Sequence, residues 1–134
     1  MLKRVFYISE ITDGTTMVDV QSIVSSSTVW NRRHDVTGLL ISARRNFAQV
    51  LEGRDEYMEA VMRRIRADTR HHSIRIVVDE PISLRLFGRW SMALVQRDDL
   101  SDALARLCSV GNDPVVTQSL LRELARASED LGNL

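Results

Sequence analysis

The feature that most restricts how this chain can fold is a pair of apolar runs separated by a very short polar connection. The runs are DVTGLLIS at residues 35–42 and FAQVLEG at residues 47–53, with RRN just before the second run. Such runs, joined by so few residues, predict two antiparallel strands in a hairpin. Alternation along the second strand places Phe47, Gln49 and Leu51 on one face. A glutamine buried there needs a partner, because an unpaired buried amide costs about 1–3 kcal/mol.

The remaining segments up to residue 96 alternate between strand and helix patterns. The predicted strands are 3–9, 35–42, 47–53, 73–83 and 89–96, and the predicted helices run from Thr16 to near Trp30 and from Arg54–Asp55 to near Arg66. Thr16 and Asp19 have the spacing of a helix capping box. The order β-α-β-β-α-β-β predicts an α+β, ferredoxin-like sheet with an additional strand and two helices on one face.

Two details of this prediction concern the last two strands. Pro81 is predicted to halt the fourth strand, because proline has no N–H for a sheet ladder. Alternation along residues 89–96 places Trp90, Met92 and Leu94 on one face of the fifth strand.

The chain changes character after residue 97, where two short amphipathic helices are predicted. Apolar residues recur at helical spacing from Leu100 to Leu107, and Asp113-Pro114 supplies an N-cap and a first helical residue for the second helix. Helices this short need a surface to dock on, either the free face of the sheet or a neighbouring subunit. We therefore divide the chain into a domain at 1–97 and a helical extension at 98–134.

Composition excludes several classes of function. The 18 basic and 18 acidic residues give a formal net charge of zero, which argues against nonspecific nucleic-acid binding. The sequence has no signal-peptide pattern and no apolar span of membrane length, so we expect a cytoplasmic protein with no membrane contact. Histidines and the single cysteine do not have metal-site spacing, and no glycine-rich phosphate loop is present.

Three polar residues lie where an apolar residue is expected or where turns of the chain bring them together: Tyr7 on the first strand, Gln49 on the third, and Asn31 at the end of the first helix. If the first and third strands are neighbours, the Tyr7 hydroxyl can bond the Gln49 carboxamide. Such a pair is compatible with a ferredoxin-like regulatory or dimerisation module that has no chromophore. A hydrolase of acylphosphatase type is disfavoured, since SEITDGTT lacks the arginine that such enzymes place after the first strand.

Five motifs together point to a known family. They are YIS in the first strand, NRRHDVTGLL after the first helix, FAQVLEG in the third strand, IRADTRHH ending the second helix, and WSM in the last strand. Their order and spacing over residues 1–96 resemble a BLUF domain, a blue-light sensor that uses a flavin. The two terminal helices resemble those of short, stand-alone members.

The resemblance implies roles for particular residues. Tyr7 matches the tyrosine that donates an electron, coupled to a proton, to the photoexcited flavin. Gln49 matches the glutamine between that tyrosine and the flavin N5 and C4 carbonyl, and Asn31 matches the asparagine that bonds the C4 carbonyl and N3 edge. Trp90 and Met92 match the pair whose inward or outward placement changes with signalling.

Further residues are implied to surround the cofactor. The residues that match the contacts to the far edge of the ring and the ribityl-phosphate chain are Arg64, Asp68, Arg70 and His71. Ser9 and Ser27 fall near the pocket. The apolar walls are implied to come from Ile23, Val24 and Ile65. Trp30 stands where many relatives carry a polar or basic residue. A tryptophan there is expected to stack on or shield the ring edge, or to offer a second electron donor.

The resemblance also implies a cofactor and an output. FAD is the implied flavin, and the family takes FMN or riboflavin into the same pocket. Light is implied to rearrange the Tyr7–Gln49–flavin hydrogen bonds, by rotation or tautomerisation of the amide, into a reversible red-shifted state. No catalytic domain follows residue 134, so we expect a receptor and not an enzyme. The signal is expected to pass through the last strand to residues 98–131, and from there to a homo-oligomer or an unidentified protein partner, without direct contact to nucleic acid.

Overall fold

The computed structural model describes residues 1–110 and 113–131, in which five strands and four α-helices occur in the predicted order. The strands are β1 (Leu2–Ile11), β2 (Thr37–Ser42), β3 (Asn46–Arg54), β4 (His71–Ile82) and β5 (Ala93–Gln96). The helices are α1 (Met17–Arg33), α2 (Asp55–Ala67), α3 (Ser101–Val110) and α4 (Pro114–Asp130), with a 3-10 turn at Asp98–Leu100.

The strands form one mixed sheet in the order β4-β1-β3-β2-β5. Neighbouring strands are antiparallel except for β2 and β5, which run parallel. The predicted hairpin is confirmed, with Ser42 of β2 opposite Phe47 of β3. The prediction that the first and third strands are central neighbours is also confirmed, and Tyr7 lies directly opposite Gln49.

Each face of the sheet has its own helical layer. The α1 and α2 helices bury Val20, Met58 and Val61 against the face that carries Tyr7 and Leu51. This arrangement confirms the ferredoxin-like α+β fold with both of these helices on one face.

The two C-terminal helices cover the opposite face. Leucines of α3 and α4 pack with sheet residues in the second core, including Leu104, Leu107, Leu120, Leu121 and Leu124. Burying a leucine contributes about 1.5–3 kcal/mol, so five of them hold this layer firmly. Of the two predicted docking surfaces, the free face of the sheet is the one occupied. The leucine stripe is therefore unavailable to a partner, and a homo-oligomer stays a prediction that needs other surfaces.

The helix caps follow the predicted chemistry. Thr16 Oγ1 accepts from the Asp19 backbone N–H, and the Asp19 carboxylate accepts from the Thr16 N–H, which completes the capping box. Asp113 caps α4 by accepting from Val115 N and Val116 N. The α1 helix continues to Arg33, one turn beyond the predicted end at Trp30, and Asp35 follows in the left-handed region with φ 54°.

Two predictions about the last strands are wrong. Pro81 does not halt β4, which runs to Ile82; proline is tolerated because β4 is an edge strand with β1 as its one neighbour. The fifth strand begins at Ala93 and not at residue 89, so Trp90 and Met92 lie in the connection before it. Met92 packs in the core under α1 and α2, whereas Trp90 donates from Nε1 to the Ser128 carbonyl of α4 across 3.0 Å. The two side chains therefore do not share a face.

Candidate cofactor-binding site

A cavity of about 690 Å³ lies between the sheet and the α1 and α2 helices. This volume is within the range of pockets that hold small organic ligands and cofactors, about 300–1,000 Å³. Ten of the residues predicted to surround a cofactor line it: Tyr7, Ile23, Ser27, Asn31, Gln49, Arg64, Ile65, Asp68, Arg70 and His71.

The remaining predicted residues lie elsewhere. Val24 and Trp30 pack in the core under α1 and α2 but do not line the cavity, and neither do Trp90 and Met92. Six lining residues were missed from the sequence: Ser26, Leu40, Phe47, Val61, Ala67 and Thr69. Alternation could have found Phe47, which is two residues before Gln49, and helical spacing could have found Val61, which is four before Ile65.

Tyr7 and Gln49 meet on the cavity wall as direct cross-strand partners. Tyr7 Oη donates a hydrogen bond to Gln49 Oε1, and both residues are buried. Strand alternation predicted that Gln49 is buried and needs a hydrogen-bond partner, and Tyr7 is that partner. In this orientation the carbonyl end of the amide faces the tyrosine hydroxyl, which is also able to accept a hydrogen bond from an amide N–H.

Burial raises the pKa of the Tyr7 hydroxyl far above its ordinary value, and the negative charge of Asp68 raises it further. The cause is desolvation, since a phenolate in this wall would lose its water without gaining a cation. Tyr7 is therefore a neutral phenol at physiological pH, able to donate its hydrogen bond and its proton.

The other end of the Gln49 amide faces Met92. Gln49 Nε2 donates to Met92 Sδ at 3.6 Å. Thioether sulfur is a weak acceptor, so this contact restrains the amide less strongly than the tyrosine does. Gln49 thus lies between a strong donor on β1 and a weak acceptor in the connection before β5.

Asn31 carries a buried polar atom without a partner. Its Nδ2 donates to the Ser91 carbonyl at 2.8 Å, and its Oδ1 is buried without a hydrogen-bond partner in the part of the chain that the structure describes. An orphaned buried acceptor costs about 1–3 kcal/mol unless a ligand supplies a donor. Asn31 is one of the residues that line the cavity.

The far end of the cavity is closed by a histidine network. His71 Nε2 lies 2.7 Å from the Ile65 carbonyl, which can only accept, so this nitrogen carries the proton. In the neutral ring, Nδ1 then accepts from Ser9 Oγ at 2.7 Å. His71 therefore ties β1 to the end of α2, and Ser9 lies beside the pocket, as predicted, without lining it.

Two arginines line the same end but differ in their partners. Arg70 forms a bidentate pair with Asp68, with distances of 2.9 and 2.7 Å, which lowers the pKa of the carboxyl and raises that of the guanidinium. Arg64 makes no ion pair within the described residues, and its Cζ lies 5.2 Å from the centroid of the Trp30 ring. Arg64 is consequently the cavity cation whose charge is not already balanced.

Trp30 belongs to a small aromatic stack outside the cavity. Its ring stacks on His34 with centroids 3.9 Å apart, and His34 meets Tyr57 edge-on. Arg64 thus bridges the cavity wall and this stack. Trp30 contributes to the site through Arg64 and not by lining the pocket.

The cavity fits a flat heteroaromatic ring with one polar edge. Its apolar surface comes from Ile23, Leu40, Phe47, Val61 and Ile65. The polar edge is formed by Gln49 and by the unpartnered Asn31 Oδ1, which a ring N–H of a flavin would satisfy. No cluster of three or more metal-ligating side chains occurs in residues 1–110 and 113–131, and no helix there is long and apolar enough to cross a bilayer.

The fold and the site together define an α+β domain with a cavity of cofactor size beside a buried tyrosine–glutamine pair. Comparison with known proteins agrees. The family model of the sensors of blue light using FAD, BLUF, matches residues 2–93. This chain belongs to the BLUF family of flavin-binding blue-light sensors.

Individual relatives support this assignment. The chain is 32% identical over 109 residues to the blue light- and temperature-regulated antirepressor BluF of Escherichia coli, which covers 78% of this chain and 27% of that protein. It is 28% identical over 102 residues to photoactivated adenylate cyclase subunit beta of Euglena gracilis, covering 75% of this chain and 12% of that one. The chain thus spans about a quarter or less of these relatives.

A solved structure matches nearly end to end. The dark-state structure of BlrB, a BLUF protein, superimposes with a TM-score of 0.80 at 31% identity. The match covers 94% of this chain and 96% of that one. The C-terminal helices therefore belong to an arrangement that a short BLUF protein also has.

Proposed function

We propose that this chain is a reversible photoswitch in which the Gln49 amide changes its hydrogen-bond partners. The observation that carries the proposal is the position of that amide on the cavity wall, between Tyr7 Oη and Met92 Sδ. FAD is the proposed cofactor. When bound, a flavin absorbs blue light and in its excited state accepts an electron and a proton.

Tyr7 supplies that electron and proton. Its hydroxyl is neutral and hydrogen-bonded to Gln49 Oε1, so the proton leaves along this bond as the electron leaves the ring. Both return to Tyr7 after the amide has changed. The cycle therefore consumes no reductant, and recovery in the dark is thermal.

Gln49 stores the change by rotation or by tautomerisation of its amide. In a rotated amide the carbonyl oxygen faces Met92 Sδ, which has no hydrogen to donate, so the contact seen at 3.6 Å is lost. The N–H end would then lie on the side of Tyr7 and the pocket, where it would donate to a carbonyl of a bound flavin. Such a bond would favour the excited state and shift absorption to the red.

Asn31 and Arg64 have holding roles in this proposal. Asn31 Oδ1 would accept from a ring N–H of a bound flavin, and Arg64, which lacks an acidic partner among the described residues, would meet the phosphates of its side chain. The apolar wall excludes water from the Tyr7–Gln49 pair.

The output leaves through the connection before β5. Loss of the Gln49–Met92 contact frees Met92, while the neighbouring Trp90 is bonded to Ser128 of α4. The α3 and α4 helices are thus the element whose docking changes, and a second copy or a separate effector reads it. In this proposal the chain senses light and does not itself catalyse a reaction.

The proposal is tested by identifying the cofactor and following it under light. Flavin released from the purified protein is identified by chromatography, and apoprotein is titrated with FAD, FMN and riboflavin. We expect FAD in the protein as isolated and weaker binding of riboflavin, which has no phosphate for Arg64. Equal affinity for all three would contradict the Arg64 role, and a protein that takes up no flavin would contradict the whole proposal.

A further inference from the structure

The connection between β4 and β5, residues 83–92, is fixed at its two ends by different groups. At the end near the cavity, Gly38 N–H donates to the Trp90 carbonyl at 3.0 Å and Asn31 Nδ2 donates to the Ser91 carbonyl at 2.8 Å. These bonds hold Met92 beside Gln49. The second of them comes from Asn31, a residue that lines the cavity.

At the other end the connection is bound to Glu52, a fully buried carboxylate of β3. Glu52 Oε1 accepts from Phe87 N at 2.6 Å, and Oε2 accepts from Leu86 N at 3.0 Å. Two consecutive backbone amides of the connection therefore end on one charged group. Hydrogen bonds to a charged acceptor are roughly twice as strong as neutral ones.

The charge of Glu52 is balanced from the opposite side. Arg4 donates to Glu52 Oε2 through Nε at 2.9 Å and through its NH2 at 2.8 Å. Arg4 also reaches Glu80 at 3.0 Å, and that carboxylate does not touch the connection. A buried carboxylate with this many donors is expensive to displace, because its release would leave an uncompensated buried charge.

Arg85 and Phe87 strengthen the same anchor. Arg85 donates to Thr37 Oγ1 at 2.9 Å and to the Asp35 carbonyl at 2.8 Å. The Phe87 side chain is 1% exposed and packs in the core under α3 and α4. Residues 85–87 are thus held by backbone, side-chain and apolar contacts together.

Gly88 and Arg89 alone separate the two ends, and both are exposed. Glycine has the widest backbone freedom of any residue, so this pair can absorb a change in direction at low cost. The bonds at residues 90–92 involve neutral groups, whereas those at 86–87 end on a buried charge.

We propose that Glu52 is a positioning residue that keeps residues 85–87 fixed in both dark and light, so that light moves only the part of the connection beyond Gly88. The inference rests on the proposed function, in which Met92 loses its contact with Gln49. Glu52 then sets the distance from which Met92 returns, and thereby the rate of recovery in the dark.

Hydrogen exchange on the full flavin-bound protein tests this directly. We expect the amides of Leu86 and Phe87 to keep their dark protection under continuous blue light. The Gly38 amide, which donates to Trp90, should exchange about tenfold faster in the light, as loss of one hydrogen bond requires. Loss of protection at Leu86 and Phe87 together with Gly38 overturns the proposal.

A pair of variants tests the effect on recovery. Glu52→Gln leaves only one acceptor for the two amides, so we expect recovery to slow by about threefold or more as Met92 returns from a wider range. Glu80→Gln is the matched control, because it removes the other carboxylate on Arg4 without touching the connection. Equal recovery rates in the two variants overturn the proposal.

Two further measurements distinguish failure of the Glu52 anchor from failure of the proposed photoswitch. In Glu52→Gln apoprotein, Leu86 and Phe87 should lose protection without any light. If Glu52→Gln does not fold, the exchange experiment on the natural sequence still decides the question. A protein without a red shift contradicts the photoswitch, whereas a red shift with mobile Leu86 and Phe87 contradicts only the anchor.

Discussion

Asn31 donates from Nδ2 to the backbone carbonyl of Ser91, 2.8 Å away, while its Oδ1 is buried without a partner among the described residues. One side chain thus touches both the cavity and the connection that leads into β5. A ligand that bonds Oδ1 acts on an amide whose other end already holds the output segment. In the proposed function, cofactor binding and the geometry of this connection are therefore linked through a single residue.

Replacing Asn31 should weaken flavin binding. Asn31→Ala removes the unpartnered acceptor, and loss of one buried hydrogen bond of about 1–3 kcal/mol predicts a Kd about 5- to 150-fold higher. Titration of apoprotein with FAD, followed by flavin fluorescence, measures it. Thr28→Ala on the same helix is the control, since Thr28 bonds Val24 and does not line the cavity. An unchanged Kd in Asn31→Ala would rule out the holding role.

Replacing Gln49 should abolish the red shift and leave the flavin bound. Gln49→Leu keeps the volume of the side chain but has no amide to rotate, so illuminated and dark spectra should coincide. Light-minus-dark absorption measures the difference. Gln96→Leu, at an exposed position of β5, should retain the full shift. A shift that survives in Gln49→Leu would exclude the amide as the switch.

Tyr7 should make the protein lose stability at alkaline pH. Its folded pKa is raised above the unfolded value of about 10, so the folded protein retains a proton that the unfolded chain releases. The contribution of Tyr7 to the free energy of unfolding is complete below about pH 10. It declines by about 1.4 kcal/mol per pH unit as the pH rises above that value.

Tyr7→Phe should remove this part of the alkaline decline. The measurement is the free energy of unfolding by urea, at several values of pH from neutral to strongly alkaline, for both proteins. Tyr57→Phe, a half-buried tyrosine outside the cavity, should keep the steep decline because Tyr7 is still present. Parallel curves for Tyr7→Phe and the natural sequence would show that Tyr7 titrates normally.

Trp90 should carry the signal to α4 without taking part in the colour change. Trp90→Phe loses the 3.0 Å hydrogen bond to the Ser128 carbonyl, worth about 0.5–1.5 kcal/mol, and leaves the Tyr7–Gln49 pair untouched. We expect a normal red shift and a diminished light response in the hydrogen exchange of α4. If α4 responds fully in this variant, the route to the helices does not pass through Trp90.

The central part of the site was predictable because strand alternation is a strong rule. Phe47, Gln49 and Leu51 share a face, and Tyr7 lies opposite Gln49, as the order of elements required. A buried glutamine needed a partner, and the nearest polar group on the neighbouring strand supplied it. Roles for Asn31 and Arg64 came only from the family resemblance.

The connection before β5 was not predictable from alternation. Residues 89–92 have the composition of a strand, but Phe87 is bound to Glu52 and Ser91 to Asn31, and the β5 ladder begins at Ala93. These contacts join positions far apart in the sequence. No local pattern in the sequence indicates that Glu52 is buried. The sequence likewise does not indicate that Trp90 contacts α4 while Met92 contacts Gln49.

The most direct test of the account is an absorption spectrum of the purified protein, recorded in darkness and again just after blue illumination. The account predicts a flavin spectrum that shifts to the red in the light and returns in the dark without added reductant. A bound flavin whose spectrum does not move, or one that bleaches and needs oxygen to recover, would contradict a switch built on Tyr7 and Gln49.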